Sequence, residues 1–499
     1  MEQKLRQLKV ILAEISDLRY ASALLGWDQQ TYMPPGGAEA RGNQLALLGR
    51  LVHERGTSPE LGKLLDELKP YAATLDPDSD DACLVKVAVR AYDKATRVTS
   101  KHVVEFAQAT TLGQLAWMEA HQKSDFSIFQ PHLEKIVALR QEYASFFSYF
   151  EHPYDALLDD FEPGMKTAEV KAIFEGLRPK QVELIKAIAA KPKVDDSFLH
   201  QPFDEKKQWD FGAEVITKFG YDWTRGRQDK AAHPFTISFS VNDVRITTRV
   251  DPNFLNSMLF GTMHECGHAL YGQGAAPELE RTGLEDGASL AVHESQSRLW
   301  ENLVGRSLPM WEHFYPRLQE VFPQLAGIPL DKFYKGINKV QPSLVRVEAD
   351  EATYNLHIML RLEIEIALLE GRVAVKDLPA LWNTKMKEYL GVTPPNDAQS
   401  VLQDIHWSGG MIGYFSTYAL GNLISAQLWE KINQDIPELP DQIRAGKFEA
   451  LLGWLRENIH RHGAKFEPQE LVQKVTGSKI DPAAYVRYLT KKYGEIYGL

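Results

Sequence analysis

The chain is 499 residues long, 44% hydrophobic and 25% charged, with a formal net charge of −11. These are the proportions of an ordinary folded protein, long enough for a self-sufficient core, and they exclude disorder, collagen and coiled coil. The charge is spread over short runs of both signs and lacks the clustered Lys and Arg that nucleic acid requires, so no nucleic-acid partner is expected.

In chain order, the opening MEQKLRQLKVILAEISDLRYASALLGWDQ carries Leu5, Leu8, Ile11, Leu12, Ile15 and Leu18 at helical spacing and predicts an amphipathic helix. It lacks the continuous apolar core and small-residue cleavage site of a signal peptide. No stretch approaches the roughly 20 uncharged apolar residues of a membrane helix, so a cytoplasmic protein with no membrane partner is expected. Pro and Gly cluster at Met33–Gly37 and Val392–Asn396, which read as turns or helix starts. Between them, Pro234 to Val250 breaks the helical pattern: Ile237, Phe239 and Val241 alternate with polar residues before Asn242-Asp243 and a second alternating run, which predicts a β-hairpin whose edge could pair with an extended peptide. Further on, Leu356, Met359, Leu360, Leu362 and Ile366 return to helical spacing. Without repeats or long linkers, the expectation is one helix-dominated, two-lobed domain over residues 1–499. Cys83 and Cys266 are too few for a disulfide framework or a thiolate zinc site, so any metal must use His, Asp or Glu.

Such a set stands at His264-Glu265-Cys266-Gly267-His268. Residues four apart share a helix face, so His264 and His268 can present two imidazole nitrogens to one tetrahedral zinc. Glu265 beside the first ligand is placed to take a proton from a water that the metal acidifies, the arrangement for hydrolysing a peptide without a covalent intermediate. Cys266 lies about 200° around the helix from His264 and reads as a small buried hydrophobe. A catalytic site needs a third ligand. Gly274 stands where a metzincin carries its third His, which leaves a carboxylate from a following helix; Asp286 to Gly305 reads as that helix, and spacing does not rank its His293, Glu294 and Glu301.

With these residues go WDQQTYMPPGGAEARGNQ, His233-Pro234-Phe235, Asp243-Val244-Arg245-Ile246-Thr247, His293-Glu294-Ser295-Gln296, Arg346 to Asp350, Gln403-Asp404-Ile405-His406-Trp407 and Gly413-Tyr414-Phe415-Ser416-Thr417-Tyr418. Ordered together they make the chain resemble, over essentially its whole length, the thermostable carboxypeptidase family M32 of the metallopeptidases. The resemblance implies an all-α-dominated gluzincin fold like that of angiotensin-converting enzyme and neurolysin, with a deep active-site groove and a small sheet beside the H-E-x-x-H helix. It implies Glu294 as third ligand, and removal of single C-terminal amino acids with broad specificity from peptides with a free C-terminus. It also implies zinc or cobalt, a cytoplasmic location and a homodimer.

A terminal carboxylate is best held by the planar fork of Arg, and Arg346 and Arg245 are the candidates. Arg346 and Asp350, four apart on an expected helix, could instead be a surface ion pair. The tetrahedral oxyanion needs positioned donors, for which the fold analogy favours Tyr418 and His406. Tyr414, read as sharing a helix face with Tyr418, and His233 are expected in the groove. Two other readings compete, a helical oligopeptidase that cuts internal bonds and a metal-free helical binding protein.

Overall fold

A computed structural model describes all residues from Met1 to Leu499. Helices dominate, with a single three-stranded sheet. The chain divides into two compact units, the first formed by Met1–Thr96, Asp195–Ile337 and Leu428–Gly477 and the second by Arg97–Val194, Asn338–Gln427 and Ser478–Leu499. No helix is long and apolar enough to cross a membrane.

In the first unit, the predicted opening helix runs over Glu2–Thr31. Its 3.6-residue stripe of Leu5, Leu8, Ile11 and Ile15 is buried in one cluster with Leu61, Leu64, Leu65 and Leu68 of the helix Pro59–Ala72 and with Cys83, Leu84 and Val85. Each leucine so buried is worth about 2 kcal/mol relative to exposure. The hairpin also forms where expected. Strand β2 (Thr236–Ser240) pairs antiparallel with β3 (Asp243–Thr248), in the register Thr236 to Ile246 and Ile237 to Arg245, with a register shift between Ser238 and Ser240. A third strand, β1 (Gln228–Lys230), joins parallel to β3, so the order is β1-β3-β2 and β2 is an outer strand. At three residues, β1 is too short for alternation to reveal.

The helix after the sheet, Leu255–Gly274, carries the H-E-x-x-H residues. Met258, Leu259, Phe260, Met263, Cys266, Ala269 and Leu270 are buried around it, while His264 and His268 remain partly open on one side. The reading of Cys266 as a small buried hydrophobe therefore holds. The following helix is shorter than the residues 286–305 expected: Ser289 caps it by accepting from the Val292 amide at 3.1 Å, it runs over Leu290–Arg298, and it widens into a π-helical turn at Leu299–Val304.

In the second unit the expected apolar helix spans Tyr354–Leu369. Leu356, Ile358, Met359, Leu360, Leu362, Ile364 and Ile366 are all buried. Tyr354, Arg361 and Glu365 lie seven and eleven residues apart on it, two and three turns, and so share one face. Another helix, Ser416–Asp435, starts in this unit.

Candidate metal centre

The metal-binding geometry begins with a glycine. A Cβ at Gly267 would lie 2.6 Å from the Gln296 carbonyl oxygen and 2.6 Å from Ser297 Cα. Helices Leu255–Gly274 and Leu290–Arg298 thus touch backbone to backbone at the motif itself, and this contact delivers Glu294 to the two histidines. Glu294 Oε2 is 3.6 Å from His264 Nε2 and 3.5 Å from His268 Nε2, and donor atoms of the three residues all lie within 4.8 Å of one another. Around a tetrahedral ion with bonds of about 2.1 Å, donor atoms sit roughly 3.4 Å apart, so this two-imidazole, one-carboxylate set fits a catalytic divalent metal. Of the three acids and bases that spacing left open, the structure brings a Glu294 carboxylate oxygen to the two histidines. Glu301 and His293 stand behind them.

Glu301 Oε2 is 2.9 Å from His264 Nδ1. A carboxylate can only accept here, so Nδ1 carries the proton and Nε2 turns its lone pair to the metal position. The π-helical turn sets this placement, since it changes the register of Glu301 relative to Glu294. Arg298 binds both acids, its Nε donating to Glu294 Oε1 at 2.6 Å and its Nη1 to Glu301 Oε2 at 3.2 Å. Burial opposes ionisation of Glu294, but Arg298, His264 and His268 overcome it and hold the carboxyl far below its usual range. Against the same burial, Arg298 and His264 hold Glu301 at about 2. His293 Nδ1 lies 3.4 Å from His268 Nδ1, and burial together with the His268 charge pushes it down to about 3. At neutral pH His293 is a neutral neighbour of the centre.

Glu265 is buried, and the Thr236 hydroxyl on β2 lies 2.7 Å from its Oε2 and 2.9 Å from its backbone carbonyl. The outer strand thus fixes the Glu265 side chain. In the same unit, Arg245 on β3 pairs with Asp243: Nε and Nη2 donate to its two oxygens at 2.8 and 2.7 Å, and the guanidinium lies over the rings of Trp27 (4.6 Å) and Phe239 (4.8 Å). His233 is exposed in the loop before β2.

The second unit gathers Arg346, His406, Tyr414 and Tyr418. Arg346 does not lie on the expected helix with Asp350, because a short turn at Arg346–Glu348 breaks the chain there and Asp350 instead accepts from the Ala352 and Thr353 amides. The Arg346 partner is Asp404, whose Oδ1 accepts from Nε at 3.0 Å and from Nη2 at 2.7 Å, while Nη1 donates to the Tyr354 hydroxyl at 2.8 Å. The other Asp404 oxygen accepts from Arg361 Nε and Nη2 at 2.8 and 2.5 Å. Two guanidinium groups on one carboxylate leave this buried cluster with one net positive charge. Burial, joined by the Arg346 and Arg361 charges and opposed by that of Asp404, pushes His406 down to about 4, so it is a neutral imidazole at pH 7. Its Nε2 is 3.4 Å from the Tyr418 hydroxyl. Burial raises the Tyr418 pKa well above its ordinary value, keeping the phenol protonated. Tyr414 precedes the helix Ser416–Asp435 and so does not share a helix face with Tyr418; the rings meet edge to face at 5.3 Å across the turn that opens the helix, where the Thr417 amide donates to the Tyr414 carbonyl at 3.1 Å.

Sequence reasoning missed Thr236, Arg298, Arg361 and Glu365. A signal existed for the last two: ionisable residues at helical spacing from Tyr354, on a largely apolar helix.

A helical scaffold that presents two imidazoles and a carboxylate to one point, with a held glutamate beside them, defines a metallopeptidase. The family model described as carboxypeptidase Taq (M32) metallopeptidase matches residues 7–493, and the chain belongs to that family. It is 43% identical over 495 residues to thermostable carboxypeptidase 1 of Thermus thermophilus and 39% identical over 489 residues to carboxypeptidase 1 of Bacillus subtilis. Those alignments cover 97% and 98% of this chain and 97% of each relative. The crystal structure of the M32 carboxypeptidase from Deinococcus radiodurans superposes with a TM-score of 0.97 at 41% identity, covering 100% of both chains. The chain is thus a metallocarboxypeptidase with the helical fold of its family, and neither the oligopeptidase nor the binding-protein reading is favoured.

Proposed function

We propose that His264, His268 and Glu294 hold one divalent metal, that Glu265 is the general base, and that Arg346, His406 and Tyr418 handle the substrate. The observation that carries this is the convergence of the two Nε2 atoms on Glu294 Oε2 at 3.5–3.6 Å. When bound, the metal polarises the scissile carbonyl and acidifies the attacking water. Glu265, oriented by Thr236, takes the proton from that water and returns it to the departing amine nitrogen. His406 and Tyr418, neutral and protonated respectively, donate hydrogen bonds to the developing oxyanion. Asp404 and Tyr354 take three of the Arg346 N–H donors, which leaves one on each of Nη1 and Nη2 to pair with the C-terminal carboxylate of the peptide. The net positive charge of the cluster favours the same anion. Arg245, His233 and Tyr414 are assigned to substrate contact on the family resemblance.

The resemblance further supports zinc as the metal, with cobalt able to replace it, single C-terminal residues removed with broad specificity, a cytoplasmic homodimer, and one functional domain over residues 1–499. The deciding assay is release of free amino acid from an N-blocked dipeptide by the metal-loaded enzyme, beside Glu265→Gln and the C-terminally amidated peptide. Release by the wild type only, and from the free acid only, is expected. Cleavage of the amidated peptide, or full activity of Glu265→Gln, overturns the assignment.

A further inference from the structure

We propose that Glu365 is a positioning residue for this reaction, tying the His406–Trp407 turn and the Gly413 backbone that leads into Tyr414 and Tyr418 to one buried carboxylate. The proposal rests on the roles given above to His406 and Tyr418.

Glu365 is completely buried, at 0% exposure, in the apolar helix Tyr354–Leu369. A carboxylate in such a setting is costly unless its oxygens are satisfied. Its donors come from separate segments. Oε1 accepts from Trp407 Nε1 at 2.7 Å, and Oε2 accepts from the Tyr154 hydroxyl at 2.6 Å and the Gly413 amide at 3.0 Å. Trp407 directly follows His406 in the turn His406–Gly409. Gly413 has φ 101°, and a Cβ there would lie 2.7 Å from the Leu157 carbonyl carbon and oxygen, so this turn rests on the backbone of the helix Pro153–Leu158. Tyr154 of that helix holds the same carboxylate.

The segment from 406 to 413 is therefore closed at both ends on one side chain. Without the carboxylate, the Trp407 and Gly413 N–H groups would be buried unpaired, and the segment would shift to find other partners. What it controls is the approach of the Tyr418 hydroxyl to His406 Nε2, 3.4 Å apart. Two donors serving one oxyanion tolerate displacements of only a fraction of an ångström before stabilisation is lost. The helix face reinforces the assignment: Tyr354 and Arg361, one to three turns away, fix Arg346 and Asp404, so a single face organises the carboxylate-binding and oxyanion-binding groups together. Enclosed as it is, Glu365 acts through these residues and does not touch substrate.

The test is steady-state kinetics of the metal-loaded enzyme on an N-blocked dipeptide, with metal content and thermal melting measured alongside. Glu365→Gln is expected to lower kcat by about 10- to 100-fold with KM and metal per chain unchanged. Trp407→Phe, which removes one donor of three, is expected to lower kcat less. The loss caused by Glu365→Gln should shrink on a Tyr418→Phe background, because Tyr418 is one of the groups through which Glu365 acts. Wild-type kcat in Glu365→Gln, a rise in KM in its place, or equal losses on both backgrounds overturns the proposal. If Glu365→Gln does not fold, Trp407→Phe decides, a fall in kcat at constant KM supporting the assignment and an unchanged kcat refuting it. Full kcat in both Tyr418→Phe and His406→Ala would refute the underlying reading, whatever Glu365→Gln does.

Discussion

At the scale of single residues, the centre depends as much on the groups behind the ligands as on the ligands. Glu301 fixes the tautomer of His264 through a 2.9 Å contact. Glu301→Gln should weaken metal affinity by about 10- to 100-fold, read by competition with a chelator, while leaving the fold intact. Thr236→Val removes the hydroxyl that faces Glu265 and keeps the side-chain shape. It should cost about tenfold in kcat, one interaction of roughly 1.4 kcal/mol, with metal content unchanged; a wild-type kcat would show that Glu265 needs no such support. These two residues also mark the limit of what the sequence shows. The four-residue spacing of His264 and His268 is local and can be read directly. Thr236 lies 29 residues from Glu265 and meets it only because an outer strand passes the helix. The reach of Glu301 depends on a π-helical turn that periodicity does not announce.

At the scale of elements, the contact at Gly267 governs how closely Glu294, the proposed third ligand, approaches the two histidines. Gly267→Ala would place a methyl 2.6 Å from the Gln296 carbonyl oxygen. Backbone cannot yield there as a flexible side chain does, so overpacking should cost about 1–3 kcal/mol and draw Glu294 away. A lowered melting temperature with substoichiometric metal is the expected result. The opening helix, the hairpin, the metal helix and the apolar helix at 354–369 were all legible, because each carries its own period. The interrupted chain around Arg346 was not. There the i to i+4 spacing of Arg346 and Asp350 mimics a helix, while the true partner, Asp404, is 58 residues away. Likewise Tyr414 and Tyr418 stand four apart in sequence, yet they meet across the turn that leads into the helix Ser416–Asp435 and not along one helix face.

At the scale of the whole molecule, stability collects the cost of the buried acids. Burial pushes Glu365 up to about 7, against its hydrogen bonds and the Arg361 charge. A carboxyl whose folded value exceeds its unfolded one binds its proton more tightly in the native state. Its contribution is fully present below about 4.3 and is lost as pH rises through 7. The melting temperature of the wild type minus that of Glu365→Gln should therefore fall between pH 5 and pH 8; a flat difference would mean that the carboxyl titrates normally.

The two units interleave along the chain, which passes from one to the other at 96/97, 194/195, 337/338, 427/428 and 477/478. No single cut therefore releases either unit whole. The first unit, with its metal helix, lacks its last segment until residue 477 has been made. On the ribosome, His264, His268 and Glu294 are all synthesised while the 428–477 segment of their own unit is still missing. Contacts between segments so distant in sequence add a loop-closure cost that grows slowly with the length of the loop. The helix that carries the H-E-x-x-H residues is made before the segment that completes its own unit.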